Sequence, residues 1–202
     1  QREGGTSDTV GAPGVKEGSA RPQADRKGSG VAGRLTLQRA LDDYKRDFVD
    51  KTWPEEKYKW QAVKHFQDNW ELDAEDFPAM LKRSLEKTGN LLASAGSFPR
   101  FMIERFSLSD PERVRAMFAA LFDESADLHE RMEAFKNASD SFLESDGSRM
   151  HFQDENTIST YLWLRYPDKY YIYKWGECRA VSNKLALGYR FKKGDYANHV
   201  RD

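Results

Sequence analysis

Residues 109–121 read Ser109-Asp110-Pro111-Glu112-Arg113-Val114-Arg115-Ala116-Met117-Phe118-Ala119-Ala120-Leu121. The first four have the form of a capping box, in which a serine oxygen takes an orphan helix amide and a glutamate three residues on reaches back. Pro111 falls early in the first turn, where its missing amide costs little. Val114, Met117, Phe118 and Leu121 then recur at steps of three and four, the period of one buried helix face. The same grammar extends in both directions. Upstream, Ser97-Phe98-Pro99 opens a short helix carrying Phe101, Met102 and Phe106. Before it, Asp73 is placed to cap a helix that aligns Phe77, Met80, Leu81, Leu85, Thr88 and Leu92 and stops at Gly96. Thr52-Trp53-Pro54-Glu55 reads as another capping box, followed by Trp60, Val63, Phe66 and Trp70 on one side. From Leu35, the residues Leu37, Leu41, Tyr44 and Phe48 form a stripe with charges opposite. Downstream, Leu128, Met132, Phe135 and Phe142 line a long helix. This predicts about six helices over residues 35–145, with no competing strand signal.

The two ends differ from this middle. Residues 1–34 hold eight of the 14 glycines and no aromatic residue, too little apolar surface to offset chain entropy. A disordered tail or linker is expected there. Residues 155–202 carry ten of the 26 aromatic residues, including seven of the nine tyrosines. Charge divides as +2 over 1–34, −7 over 35–154 and +4 over 155–202. Asn156 to Arg165 reads as a helix that stops ahead of Pro167. The alternation in Thr157-Ile158-Ser159-Thr160-Tyr161-Leu162 also admits a strand. Lys169 to Tyr173 reads as extended and Trp175 to Leu185 as helical. The expected fold is mainly α: a disordered tail over 1–34, a helical bundle over 35–146, and a small aromatic-rich basic subdomain, helical or α+β, over 147–202.

Composition removes several classes of function. The 202 residues are 39% hydrophobic and 13% aromatic, enough for a real core. Thirty-two basic against 33 acidic residues give net −1, which excludes a uniformly basic nucleic-acid coat. No apolar run approaches the roughly 18–20 residues of a membrane span. Cys178, the single cysteine, excludes an internal disulfide or a multi-cysteine zinc site and suits a reducing cytosol, so a cytoplasmic location is expected. The start at Gln1 and the uncapped end after His199 read as those of a fragment.

Catalytic constellations are wanting. A phosphate-binding loop needs Gly-Lys-Ser/Thr after a glycine-rich turn; neither Lys87-Thr88-Gly89 nor Gly188 to Gly194 supplies it. His65, His129, His151 and His199 never stand three or four residues apart, the spacing that puts two ligands on one helix face. Cys178 has no local histidine to activate it and reads as a packing residue. Pro167-Asp168 with Glu177-Cys178-Arg179 approaches the paired-carboxylate and lysine pattern of magnesium nucleases, yet arginine stands where lysine is needed and cannot act as a base. The suggestive region is 165–193. Arg165, Lys169, Tyr170, Lys174, Trp175, Arg179, Lys192 and Lys193 interleave rings that can stack on bases with cations that can meet phosphates. The plainer alternative is a tyrosine-built core, with Tyr171 and Tyr173 inward and lysines outside.

The string Tyr161-Leu162-Trp163-Leu164-Arg165-Tyr166-Pro167-Asp168-Lys169-Tyr170-Tyr171-Ile172-Tyr173-Lys174 resembles the region upstream of the motor in McrB-type AAA+ proteins of modification-dependent restriction systems. Glu56 to Asp68 and Lys87 to Leu92 are similar to the same N-terminal region, so the resemblance spans about residues 35–202. It implies a target-recognition or adaptor module, with DNA as partner. It further implies a downstream AAA+ domain using GTP or ATP with Mg, and a McrC-type nuclease subunit. The chain itself has no Walker motif, so no cofactor residue carries over. Two roles are therefore expected: a non-catalytic module touching DNA through its basic aromatic face, or a protein-interaction scaffold working through the acidic bundle. A self-contained hydrolase has no residues behind it.

Overall fold

Aspartate opens four of the helices in this computed structural model, which describes residues 29–93, 98–188 and 192. Asp76 accepts from the Ala79 amide (3.0 Å), Asp110 from Arg113 (3.0 Å), Asp127 from His129 and Glu130, and Asp154 from Thr157 (3.0 Å). Each takes an amide that the helix leaves without a partner and places negative charge at the positive end of the dipole. The helices they open are α3 (Phe77–Ser84), α6 (Pro111–Phe122), α7 (Leu128–Asp146) and α8 (Glu155–Arg165). The others are α1 (Ser29–Asp47), α2 (Trp53–Asn69), α4 (Gly89–Leu92), α5 (Pro99–Ser109) and α9 (Trp175–Lys184). There is no strand among the described residues, and the helical option holds for Thr157–Leu162.

Several boundaries fall elsewhere than the sequence suggests. The cap of α6 is Asp110, not Ser109: α5 runs through Ser109, and Glu112 turns instead to Arg115 at 3.2 Å. Asp76 displaces Asp73 as the cap of α3, directly before the Phe77-Pro78 start. The helix expected to reach Leu92 breaks at Leu85. There the buried Thr88 hydroxyl donates to the Leu85 carbonyl (2.6 Å) and a 3-10 turn, Glu86–Thr88, leads into Gly89. Phe101 lies exposed on α5, while Met102 and Phe106 are buried. Helix α1 begins at Ser29, within the segment expected to be tail; residues 1–28, and Gly96, lie outside the described residues.

Thr52 makes no side-chain cap at all. The chain keeps right-handed helical angles through it, and Phe48–Thr52 forms a π turn in which the Trp53 amide bonds back to the Phe48 carbonyl. Pro54 has no amide to return and crowds the carbonyl four residues back; the wider turn ahead of it relieves that clash. Helices α1 and α2 therefore run on as a single rod.

The core is one cluster extending from Ala62 to Tyr173. Helix α8 lies inside it. All residues from Thr157 to Leu164 are buried, as expected of a helix without a polar face. Phe118 touches Tyr161 (5.2 Å between ring centres) and Phe135 (5.3 Å), and Trp163 meets Trp60 edge-on at 5.7 Å. The change in composition near Gly147 is thus no boundary in the packing: the helix assigned to a 147–202 subdomain fills the centre of the bundle. Its polar atoms are bonded. The Tyr161 hydroxyl donates to Gln153 Oε1 (2.9 Å), and Gln153 Nε2 donates to the Pro99 carbonyl (2.9 Å). Ser159 Oγ accepts from the Tyr173 amide (2.9 Å). Removing one such partner leaves a buried acceptor without a donor, a cost of about 1–3 kcal/mol. Urea unfolding should therefore show Tyr161→Phe destabilised by that amount, and Phe118→Ala by about 3–5 kcal/mol through the cavity it leaves.

Candidate nucleic-acid interface

Pro167 bends the chain out of α8 and creates the surface that carries the expected contact residues. The Tyr166 amide closes the helix on the Leu162 carbonyl (2.8 Å), and the amides of Lys169 and Tyr170 both return to the Tyr166 carbonyl. The Tyr166 hydroxyl donates to the Phe122 carbonyl (3.0 Å), pinning this turn to the end of α6. The guanidinium of Arg165 and the ammonium of Lys169 lie 5.3 and 5.8 Å from the Tyr166 ring centre.

Two of the cations on this surface are paired with carboxylates. Lys169 pairs with Glu124 at 2.6 Å, and the Tyr170 hydroxyl donates to the same carboxylate (3.3 Å) while accepting from Arg131 Nη2 (2.9 Å). Arg131 is buried, donates through Nη1 to the Leu121 carbonyl (2.8 Å), and has no partner at Nε. Lys174 pairs with Glu177 at 3.3 Å. Beyond it, Tyr173 turns inward and its hydroxyl donates to the Lys192 carbonyl (2.8 Å), leaving the Lys192 side chain exposed. Arg179 lies over the Trp175 ring at 5.1 Å. Lys193 lies outside the described residues.

The structure thus separates the expected residues into two groups. Arg165, Lys169 and Tyr170 gather at the end of α8; Lys174, Trp175 and Arg179 gather at the start of α9. Tyr170 and Trp175 rest partly buried against the core, as the plainer alternative has it. Tyr173 is buried, but Tyr171 is exposed: the segment is irregular, so alternate residues do not share a face. Arg131 and Glu124, which fix Tyr170 and Lys169, escape sequence reading because they stand 39 and 45 positions away.

Two of the candidate histidines are engaged structurally, and His129 lies exposed on the first turn of α7. His151 Nε2 meets Asp140 at 3.0 Å while its Nδ1 accepts from the Gln153 amide (2.8 Å), so neither nitrogen is left for a ligand. His65 Nε2 donates to the Arg83 carbonyl (2.9 Å), and His199 lies outside the described residues. Burial pushes the Cys178 thiol up, away from the reactive thiolate. Among the described residues no three His, Cys, Asp or Glu gather as a metal would need, and no helix is long and apolar enough to cross a membrane. Lys82, Arg83 and Arg100 line a groove of about 380 Å³ with Glu86. Its arginines are already bound, Arg83 to Asn69 (3.1 Å) and Arg100 to Glu104 (2.6 Å). No family model, no curated protein and no solved structure matches this chain.

The hydrogen bond and charge of Lys169 hold the Glu124 carboxyl below its ordinary value, outweighing partial burial. A lowered carboxyl stabilises the fold fully above its unfolded value, about 4.3, and that stabilisation is lost as pH falls through the folded one. Thermal unfolding between pH 7 and pH 3 should therefore cost Glu124→Gln less melting temperature than it costs the parent chain.

Proposed function

We propose that this chain is a non-catalytic adaptor module of an McrB-like restriction NTPase, and that it works by docking protein surfaces within such an assembly. The observation that supports this reading is the apolar face of the α1–π turn–α2 rod, where Leu41, Tyr44 and Trp53 stand 43, 53 and 41% exposed. Large apolar side chains grouped on one face and left in water are the mark of an interaction surface. The −7 charge of residues 35–154 points the same way, because it repels phosphate. In this reading, nucleotide chemistry with GTP or ATP and Mg belongs to an AAA+ domain downstream, and cleavage belongs to a McrC-type nuclease subunit.

DNA contact is a second reading, favoured by the Arg179–Trp175 pair and the exposed Lys192 side chain near the end of α9. The two make opposite predictions. Under the docking reading, Leu41→Glu with Tyr44→Glu abolishes co-purification with the motor domain, the nuclease subunit and further copies of the chain. Lys192→Glu with Lys193→Glu then leaves fluorescence-anisotropy titrations with plain and modified duplexes unchanged. Under the DNA reading the lysine pair weakens binding to all duplexes and flattens its salt dependence, while the Leu41/Tyr44 pair on the apolar ridge of the rod does nothing. Retained co-purification by the ridge variant would remove the docking reading.

A further inference from the structure

We propose that the apolar face of α1 is the pairing surface for a second copy of this chain. The inference rests on the docking reading above and names the occupant of its surface. Leu37, Leu41, Tyr44 and Phe48 are spaced four, three and four residues apart, the alternation of the two core positions of a coiled coil. The π turn carries the stripe onward without a break: ring centres step 5.5 Å from Tyr44 to Phe48 and 6.1 Å from Phe48 to Trp53. On α2 the line reaches Trp60, which meets Trp163 of the core edge-on but is itself 44% exposed, while the buried side of α2 is Ala62, Val63 and Phe66. The apolar stripe thus runs along one side of the rod. The bundle touches it only at Trp60, through Trp163, and nothing among the described residues covers it along α1, whose main contact is the π turn itself. A helix of this length holds little stability in water unless its apolar face is packed, so α1 as it stands is half of a contact.

Charge selects the second half. Between Leu37 and Thr52 four basic residues balance four acidic ones. They also neutralise one another along the helix: Arg46 pairs with Asp43 (2.7 Å) and Asp47 (3.0 Å), and Lys51 with Asp47 (2.7 Å). A strip complementary to an acidic or basic partner would carry net charge, and two copies of it would repel. This strip carries none, so two copies meet without net charge repulsion, either parallel or antiparallel. Area agrees as well. Leu41, Tyr44 and Trp53, with the half-buried Phe48, leave on the order of 400 Å² of apolar surface in water. Two such strips with their flanking side-chain stems would remove on the order of 1,200 Å², the lower edge of a specific interface. The expected product is a reversible dimer of modest affinity.

Sedimentation velocity on the whole chain tests this, over loading concentrations from about 1 to 200 µM. The expected result is a monomer–dimer equilibrium whose Kd rises at least about tenfold in Leu41→Glu/Tyr44→Glu. The melting temperature of the bundle should not move, since both side chains are exposed. Sedimentation as a monomer at every concentration overturns the proposal, and so does a dimer that the double variant leaves intact. Partner co-purification separates the two levels of argument. A monomer whose ridge variant loses the motor domain or nuclease subunit refutes only the second copy as occupant. A monomer whose ridge variant loses nothing refutes the docking reading too. A monomer that binds phosphatidylcholine–phosphatidylglycerol vesicles through the ridge also overturns pairing.

Discussion

Everything in this fold is arranged around the complete burial of α8. A helix enclosed on all sides must find a partner for every polar side chain it carries, because a buried unpaired group costs as much as several good contacts provide. Thr157, Ser159 and Thr160 bond to nearby backbone carbonyls, while Tyr161 reaches Gln153, which in turn ties the preceding loop to the first residue of α5. Those bonds fix the rotation of α8, and that rotation aims Trp163 at α2 and Tyr161 at the rings of α6 and α7. The surrounding helices close over a centre whose orientation is already fixed. The Pro167 turn and the segment leading to α9 inherit their positions from it through the Ser159–Tyr173 bond.

Much of this was legible in the sequence. The periodic apolar residues of α2, α3, α6 and α7 supply most of the core, because a three-and-four spacing has one physical meaning in a helix flanked by polar residues; Trp60 is the exception on α2, 44% exposed at the edge of that face. Helix α8 was harder. Enclosure removes the amphipathic alternation that periodicity reads, so Thr157–Leu162 allowed a strand equally well. Its membership of the central core, rather than of an appended subdomain, depends on contacts with Phe118 and Phe135, more than twenty residues distant. Caps were predicted in kind but misplaced by one to three residues, since Ser109 and Asp73 satisfy the same local pattern as Asp110 and Asp76, and only packing separates them. At Thr52 the pattern failed outright. A cap requires the chain to leave the helical region, and here the backbone does not leave it.

The basic aromatic segment shows a different limit. Sequence records that cations and rings alternate between Arg165 and Arg179, and composition there is a fair description of the surface. It does not record that Glu124 and Arg131, from the α6–α7 turn and α7, sit against Lys169 and Tyr170. Electrostatic character is a property of the finished surface, and Glu124, brought in from a distant part of the chain, pairs with one of the cations that stand alone on paper. The reverse holds for α1. Its stripe is visible in the sequence, yet only the fold reveals that the bundle leaves it uncovered.

The π turn between α1 and α2 is equivalent to one extra residue wound into an α-helix. It therefore sets the angular phase of everything N-terminal to it. Loss of a single residue from Phe48–Thr52 would turn α1 by about 100° about the rod axis, one residue's worth of α-helical rotation. The core would keep its contacts, but the apolar stripe of α1 would no longer line up with Trp53 and Trp60 on α2. The direction in which this arm presents itself to other molecules is thus held by a local winding defect, independently of the stability of the body that carries it.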